Sequence, residues 1–122
     1  MLKDTEPYLL VATGGFMGAG ARYLVNSLVP SMPGILIINA LGCVLLGFLL
    51  YESIYAGAFS PQIRAVFGAG FIGAFTTFST FSLQTIQAAP AIAMLNVLAN
   101  LLLGLIGVMI GRQLALVIAR GP

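Results

Sequence analysis

The sequence predicts an all-α membrane protein of four transmembrane helices. Three observations predict it. Of the 122 residues, 60% are hydrophobic and only 7% charged, whereas soluble domains carry about 25% charged residues. Four apolar stretches reach the ~20 residues that a helix needs to cross a bilayer. The segments between them are short and hold the Pro and Gly residues that end helices.

The first span runs from about Tyr8 to Val29 (8–29), and Pro30, Ser31, Pro33 and Gly34 read as the turn behind it. The stretch after Pro7 is too long for a signal-peptide core, and Asp4 and Glu6 do not suit a basic leader, so the span is expected to be retained. The second runs from about Ile35 to Tyr55 (35–55), with Glu52 near its end and at the interface; Gly57 to Gln62, including Pro61, connects it to the third. The third runs from about Ile63 to Ala88 (63–88), Pro90 marks a very short turn, and the fourth runs from about Ala91 to Ile118 (91–118). Short connections make sequential helices antiparallel neighbours. Together they form a single transmembrane domain over residues 1–122 with no internal repeat.

Composition excludes several function classes. The net charge is +2, and no Lys/Arg block offers a nucleic acid its phosphate contacts. With no His and one Cys, a His/Cys zinc site and an internal disulfide are both excluded within one chain. Cys43 reads as a small buried residue. No acidic residue lies in the core of any span, where proton-coupled transporters place a carboxylate or His. No nucleophile–base pair exists, so the chain is not expected to be an enzyme. Lys3, Arg64, Arg112 and Arg120 fall on the side of the termini and middle loop, and Arg22 toward the other, which favours cytoplasmic termini.

Small residues recur at helical spacing. Gly14, Gly18 and Arg22 follow one another by fours, and Asn96, Asn100, Gly104, Gly107 and Gly111 share a stripe. Such stripes let helix backbones approach closely. Their density in so small a chain points to oligomerisation.

The most unusual stretch is Phe75-Thr76-Thr77-Phe78-Ser79-Thr80-Phe81-Ser82 in the third span, after Gly68, Gly70 and Gly73. Threonine is a mediocre helix former, and hydroxyls compete for backbone groups, so the helix is expected to break here. Non-helical backbone at membrane depth is tolerated only where it is buried in protein or lines water. Freed carbonyls there suit a cation. Hydroxyl donors and electron-poor ring edges suit an anion. Arg22, well inside its span, either faces a wet vestibule, where it would attract anions, or snorkels to the interface. Asn39, Asn96 and Asn100 are neutral amides in apolar spans that can contact an anion or join helices, the latter being the ordinary role.

At these residues the sequence resembles the Fluc (CrcB) family of fluoride channels over nearly its whole length. The resemblance is carried by Gly18-Ala19-Gly20-Ala21-Arg22-Tyr23, by Asn39-Ala40-Leu41-Gly42, and above all by the run from Gly70 to Ser82. It implies a fluoride-selective channel that passively exports fluoride across the cell membrane (a multi-pass protein of a bacterial plasma or inner membrane) and lowers cytoplasmic fluoride toxicity. It implies an antiparallel, dual-topology homodimer with two pores, and a third helix broken mid-membrane. Phe78, Phe81, Asn39, Ser79 and Thr80 would then line the fluoride path, with Asn100 in the place of a polar-track serine and Arg22 in the vestibule. Backbone carbonyls of Gly73 and Thr76 would hold a structural sodium ion at the dimer interface. Phe75 is left a packing role.

The chain departs from the family pattern at Gln84, where some relatives carry Glu, and at Gly104, which supplies no side chain to the track. Its charge bias also fits one half of a heterodimer with a paired homologue of opposite orientation. Two rival readings come from other classes. A small four-span multidrug-type exporter wants a carboxylate inside the first span, and none is there. A non-transporting membrane assembly subunit would explain the glycines but not the run in span three.

Overall fold

The computed structural model describes residues 2–121, with side chains from residue 5 onward, so the side chain of Lys3 lies outside the described residues. The described residues are helical with no strand: α1 (Leu2–Leu28), α2 (Ser31–Tyr55), α3 (Pro61–Arg64), a π-helix (Ala65–Ile72), α4 (Gly73–Phe75), α5 (Ser79–Gln87) and α6 (Pro90–Arg120). Three stretches, Ser31–Tyr55, Pro61–Gln87 and Pro90–Arg120, are long and apolar enough to cross a membrane. The fourth, α1, has the length, 27 residues or about 40 Å, but its glycines, Thr13, Arg22 and Asn26 dilute its apolar character.

Helix ends differ from the sequence reading in explicable ways. α1 starts at Leu2, upstream of the expected Tyr8, and runs through Pro7, which forgoes one backbone bond near the helix start. The turn expected from Pro30 to Gly34 is shorter, because α2 begins at Ser31 with Pro30 as its extended N-cap. Pro61 and Pro90 stand in the first turns of α3 and α6, where a missing N–H costs nothing. Ser60 caps α3, its Oγ accepting from Ile63 N at 3.3 Å.

Glu52 lies at the end of α2 as expected but is buried, 2% exposed. Its Oε1 accepts from Ala58 N at 2.6 Å and Phe59 N at 3.1 Å, and its backbone carbonyl accepts from Ala56 N and Gly57 N. One residue thus ties down the whole loop, and Phe59 is seated edge-on against Phe48.

The helices pair as α2 with α6 and α1 with the π-helix and α4, while α5 lies between α6 and α2. Both pairings are backbone on backbone. A Cβ at Gly14 would overlap the Val66 carbonyl, and one at Gly18 the Phe71 carbonyl. The small-residue stripe of the sequence is therefore the seam between α1 and the π-helix. Within the chain the core is small: Ile35, Ile38 and Phe75, with Phe71 and Phe81 packed against it. Accessible surface totals 7929 Å², against about 6,200 Å² for a compact soluble monomer of 12.7 kDa. Much of the excess is leucine, isoleucine and phenylalanine facing outward, as a chain in lipid requires.

Candidate functional site

The polar run interrupts its helix. Regular helix stops at Phe75 and resumes at Ser79. Thr76 is extended, with φ −74° and ψ 158°. Two helix termini therefore meet here, and the backbone groups they release need other partners.

Asn39 supplies two of these partners. Its Oδ1 accepts from Thr77 N at 3.0 Å, and its Nδ2 donates to Thr77 O at 3.1 Å. The same Nδ2 donates to Asn100 Oδ1 at 3.3 Å. A single side chain on α2 thus clamps both backbone groups of the central residue of the break. Gly42, one turn along α2, makes room for the Thr76 side chain, whose methyl a Cβ at that position would overlap. Arg22 Nη1 reaches Thr76 O at 3.4 Å.

Thr77 is the hub that sequence reasoning passed over. It is buried. Its Oγ1 donates to Thr80 Oγ1 at 3.2 Å, accepts from Thr80 N at 3.3 Å and pairs with Ser79 Oγ at 3.3 Å. A threonine hydroxyl has one proton. With that proton on Thr80, the Ser79 bond is donated by Ser79, and Thr80 keeps its own proton free.

On α6 the amides continue. Asn100 Nδ2 donates to Asn96 O at 2.9 Å and to Asn96 Oδ1 at 3.2 Å. Asn96 Nδ2 donates to Thr85 Oγ1 at 2.8 Å, and Thr85 Oγ1 donates to Phe81 O at 2.7 Å. The structure therefore brings Asn39, Asn100, Ser79 and Thr80 into one hydrogen-bonded network through Thr77. Asn96 and Thr85 extend it. Their pairing follows from their nearly equal distance from the Pro90 turn, a signal present in the sequence.

Phe78 and Phe81 are neighbours, with ring centroids 5.8 Å apart. Phe78 is 79% exposed in the single chain, whereas Phe81 is partly buried against the core. Phe75 is a core residue, stacked on Phe71 at 5.6 Å. A cleft of about 270 Å³ opens beside the break and is lined by Asn39, Gly42, Cys43, Leu46, Ile72, Thr76, Thr77 and Phe78. Cys43 is half-buried and belongs to that wall, where it had been expected to be a buried packing residue. Gln84 Oε1 is buried and unpartnered. Gly104 approaches Cys43 and adds no side chain to the network.

The carbonyls of Gly73 and Thr76 are neutral, hard oxygens of the kind that alkali and alkaline-earth cations prefer. Thr77 N–H, which would close a helical turn on Gly73 O, goes to Asn39 instead. Gly73 is exposed. The donor set therefore fits a cation in type, but one chain offers too few oxygens to enclose it, and Arg22 already approaches one of them. Among the described residues no cluster of three or more His, Cys, Asp or Glu offers another metal site.

The family of proteins described as "CrcB-like protein, Camphor Resistance (CrcB)" matches residues 9–112. This chain belongs to that family. Within it, the chain is 53% identical over 107 residues to a protein of Methanospirillum hungatei described as fluoride-specific ion channel FluC 1, covering 88% of this chain and 76% of the relative. It is 46% identical over 111 residues to fluoride-specific ion channel FluC 2 of Methanosarcina mazei, covering 91% and 88%. It is 38% identical over 120 residues to fluoride-specific ion channel FluC 1 of Haloarcula marismortui, covering 98% and 94%. Family membership and the apolar helices make this chain a multi-pass membrane protein.

Proposed function

We propose that the chain is a fluoride-selective ion channel, passing fluoride down its gradient and out of the cell. The observation that carries the reading is the set of hydrogen-bond donors gathered at the helix break, beside Phe78 and Phe81, in an otherwise apolar helical protein. Fluoride is small and strongly hydrated, so a path must replace its water with several moderate partners rather than one deep charged site. The Thr80 hydroxyl, whose proton is free, and the edges of Phe78 and Phe81 are partners of that kind; Ser79, Asn39 and Asn100 would join them by turning donors now held by protein oxygens toward the ion. Arg22, half-buried beside Thr76, would raise the local anion concentration. The relatives described as fluoride-specific channels cover the same residues.

The channel would be an antiparallel homodimer in a cell membrane, with α1 as the fourth span and the break near mid-membrane. The exposed Gly73 and Phe78 support this reading, because in one chain both are left largely open. Two inverted copies would bring both breaks together. The Gly73 and Thr76 carbonyls of the two chains would then surround a sodium ion, with Arg22 withdrawn from Thr76 O. In that place the ion would offset aligned carbonyl dipoles and add positive potential near the path.

The deciding experiment is ion efflux from liposomes holding the purified protein. Fluoride leaves rapidly and chloride barely at all. Equal leakage of both anions, or no fluoride efflux from a well-folded sample, would sink the channel reading. Tags at the C-terminus found on both faces of the membrane support the inverted homodimer; a tag on one face only would point to a paired homologue.

A further inference from the structure

The side-chain hydrogen bonds running from the break form one ladder, and its direction is set by backbone groups that cannot reverse. Thr77 N–H can only donate, so Oδ1 is the Asn39 atom facing it. Asn39 Nδ2 then turns both its hydrogens to acceptors, Thr77 O and Asn100 Oδ1. Asn100 Nδ2 lies against Asn96 O, a carbonyl that can only accept, and against Asn96 Oδ1. Asn96 Nδ2 therefore faces Thr85 Oγ1, and the Thr85 proton goes to Phe81 O, a second carbonyl that can only accept. Thr77 N–H at one end, Asn96 C=O in the middle and Phe81 C=O at the far end all require the same direction.

The consequence is that hydrogens left over along the ladder are donors without an acceptor. Every side-chain oxygen of the ladder already accepts a hydrogen bond. A primary amide has two N–H donors, and those of Asn39 and Asn100 have two acceptors each. Asn96 Nδ2 has one, and its second N–H has no acceptor among the described residues, although Asn96 is 8% exposed. Buried donors left without a partner are uncommon and costly. The half-buried Thr80 hydroxyl likewise has its oxygen accepting from Thr77 while its own proton is free. An unpartnered N–H or O–H attracts an anion and repels a cation.

We propose that Asn96 is a further anion-binding residue, and that the path continues beyond Asn100 along α6 to the level of Thr85. This rests on the channel reading. The ligand it takes is a small, hard monovalent anion, held by the free Nδ2–H. Thr85 is a positioning residue, because its oxygen holds the other Asn96 hydrogen and so aims the free one.

The test compares wild type with Asn96→Asp, Asn96→Leu and Asn96→Ser in the liposome efflux assay, and follows side-chain amide resonances of ¹⁵N-asparagine-labelled wild type during fluoride and chloride titrations. Asn96→Asp, of the same size but without a donor, and Asn96→Leu lose at least about tenfold in fluoride flux, the scale of one hydrogen bond to a charged ligand. Asn96→Ser, which keeps a donor, retains more than either. The Asn96 amide resonances move with fluoride and stay in place with chloride. Wild-type flux in Asn96→Leu and Asn96→Asp, or an Asn96 resonance indifferent to fluoride, would overturn the proposal while leaving the channel intact. A serine variant as poor as the leucine one would reduce Asn96 to helix packing and overturn it equally. Should the aspartate variant aggregate, the serine–leucine contrast and the titration still decide. A wild type that carries no fluoride refutes the channel reading itself.

Discussion

Removing the Asn39 side chain should unmake the break. Asn39→Ala deletes three hydrogen bonds, two of them to the backbone of Thr77. Thr77 is 7% exposed, so its N–H and C=O are left buried and unpaired, and water cannot reach them without a cavity. Each orphaned buried group costs about 1–3 kcal/mol, giving a loss of about 2–5 kcal/mol with modest relaxation. Asn39→Asp separates clamp from charge. It keeps the acceptor for Thr77 N–H but faces Thr77 O and Asn100 Oδ1 with a carboxylate that cannot donate. Equilibrium unfolding in detergent measures the first effect and liposome efflux the second. The alanine variant is expected to lose both stability and fluoride flux, and the aspartate variant to lose at least as much flux. Full stability in Asn39→Ala combined with lost flux would refute the reasoning, because Asn39 would then act on the ion alone and the break would hold itself.

Two further predictions follow from burial and close packing. Phe78→Ile is expected to cut fluoride flux with unchanged stability, since Phe78 is 79% exposed in the chain. Phe81→Ile loses flux together with about 1 kcal/mol of packing against the core; undiminished flux in both variants would leave the rings a packing role only. Gly18→Ala places a methyl into the Phe71 carbonyl, where backbone lies against backbone and cannot yield. Loss of the monodisperse species on size-exclusion chromatography is the expected result, and a well-folded Gly18→Ala protein would contradict the packing of α1 on the π-helix.

Much of this was legible in the sequence for simple reasons. Apolar runs and prolines located the helix ends to within about four residues, apart from the start of α1 at Leu2 rather than Tyr8, because lipid leaves the backbone few alternatives to helix. The density of hydroxyls between Phe75 and Ser82 marked where regular helix would stop. The role of Thr77 was not legible. Nothing in its local sequence separates it from Thr76, and only the approach of Asn39 from α2 makes it the held residue. The π-helix was equally hidden, since Ala65–Ile72 reads as about two ordinary apolar turns. It lies where Gly14 and Gly18 bring α1 against it across the seam. Glu52 was placed correctly along the chain, but its burial depends on a loop that folds back to donate two N–H groups to it.

The break would also explain how one short segment could serve ions of opposite sign, as proposed for fluoride and sodium. Ending a helix releases carbonyls, and starting one releases N–H groups; the two ends carry opposite partial charge. Between Phe75 and Ser79 these ends lie side by side. On the carbonyl side, Gly73 O has lost its helical partner to Asn39, and Thr76 O has only Arg22. On the N–H side, Thr80 N is held by the Thr77 hydroxyl, and the other first-turn donors of α5 have no helical partner. Thr77, held at both of its backbone groups, stands between them. The clamp thus stands between the two kinds of released group, the Gly73 and Thr76 carbonyls before it and the first N–H groups of α5 after it. A single interruption, fixed by one asparagine, would then supply both the proposed cation site and the proposed anion path without any acidic residue among the atoms that form them. Loss of the clamp should therefore disturb both surfaces together, which a ligand role for Asn39 alone does not require.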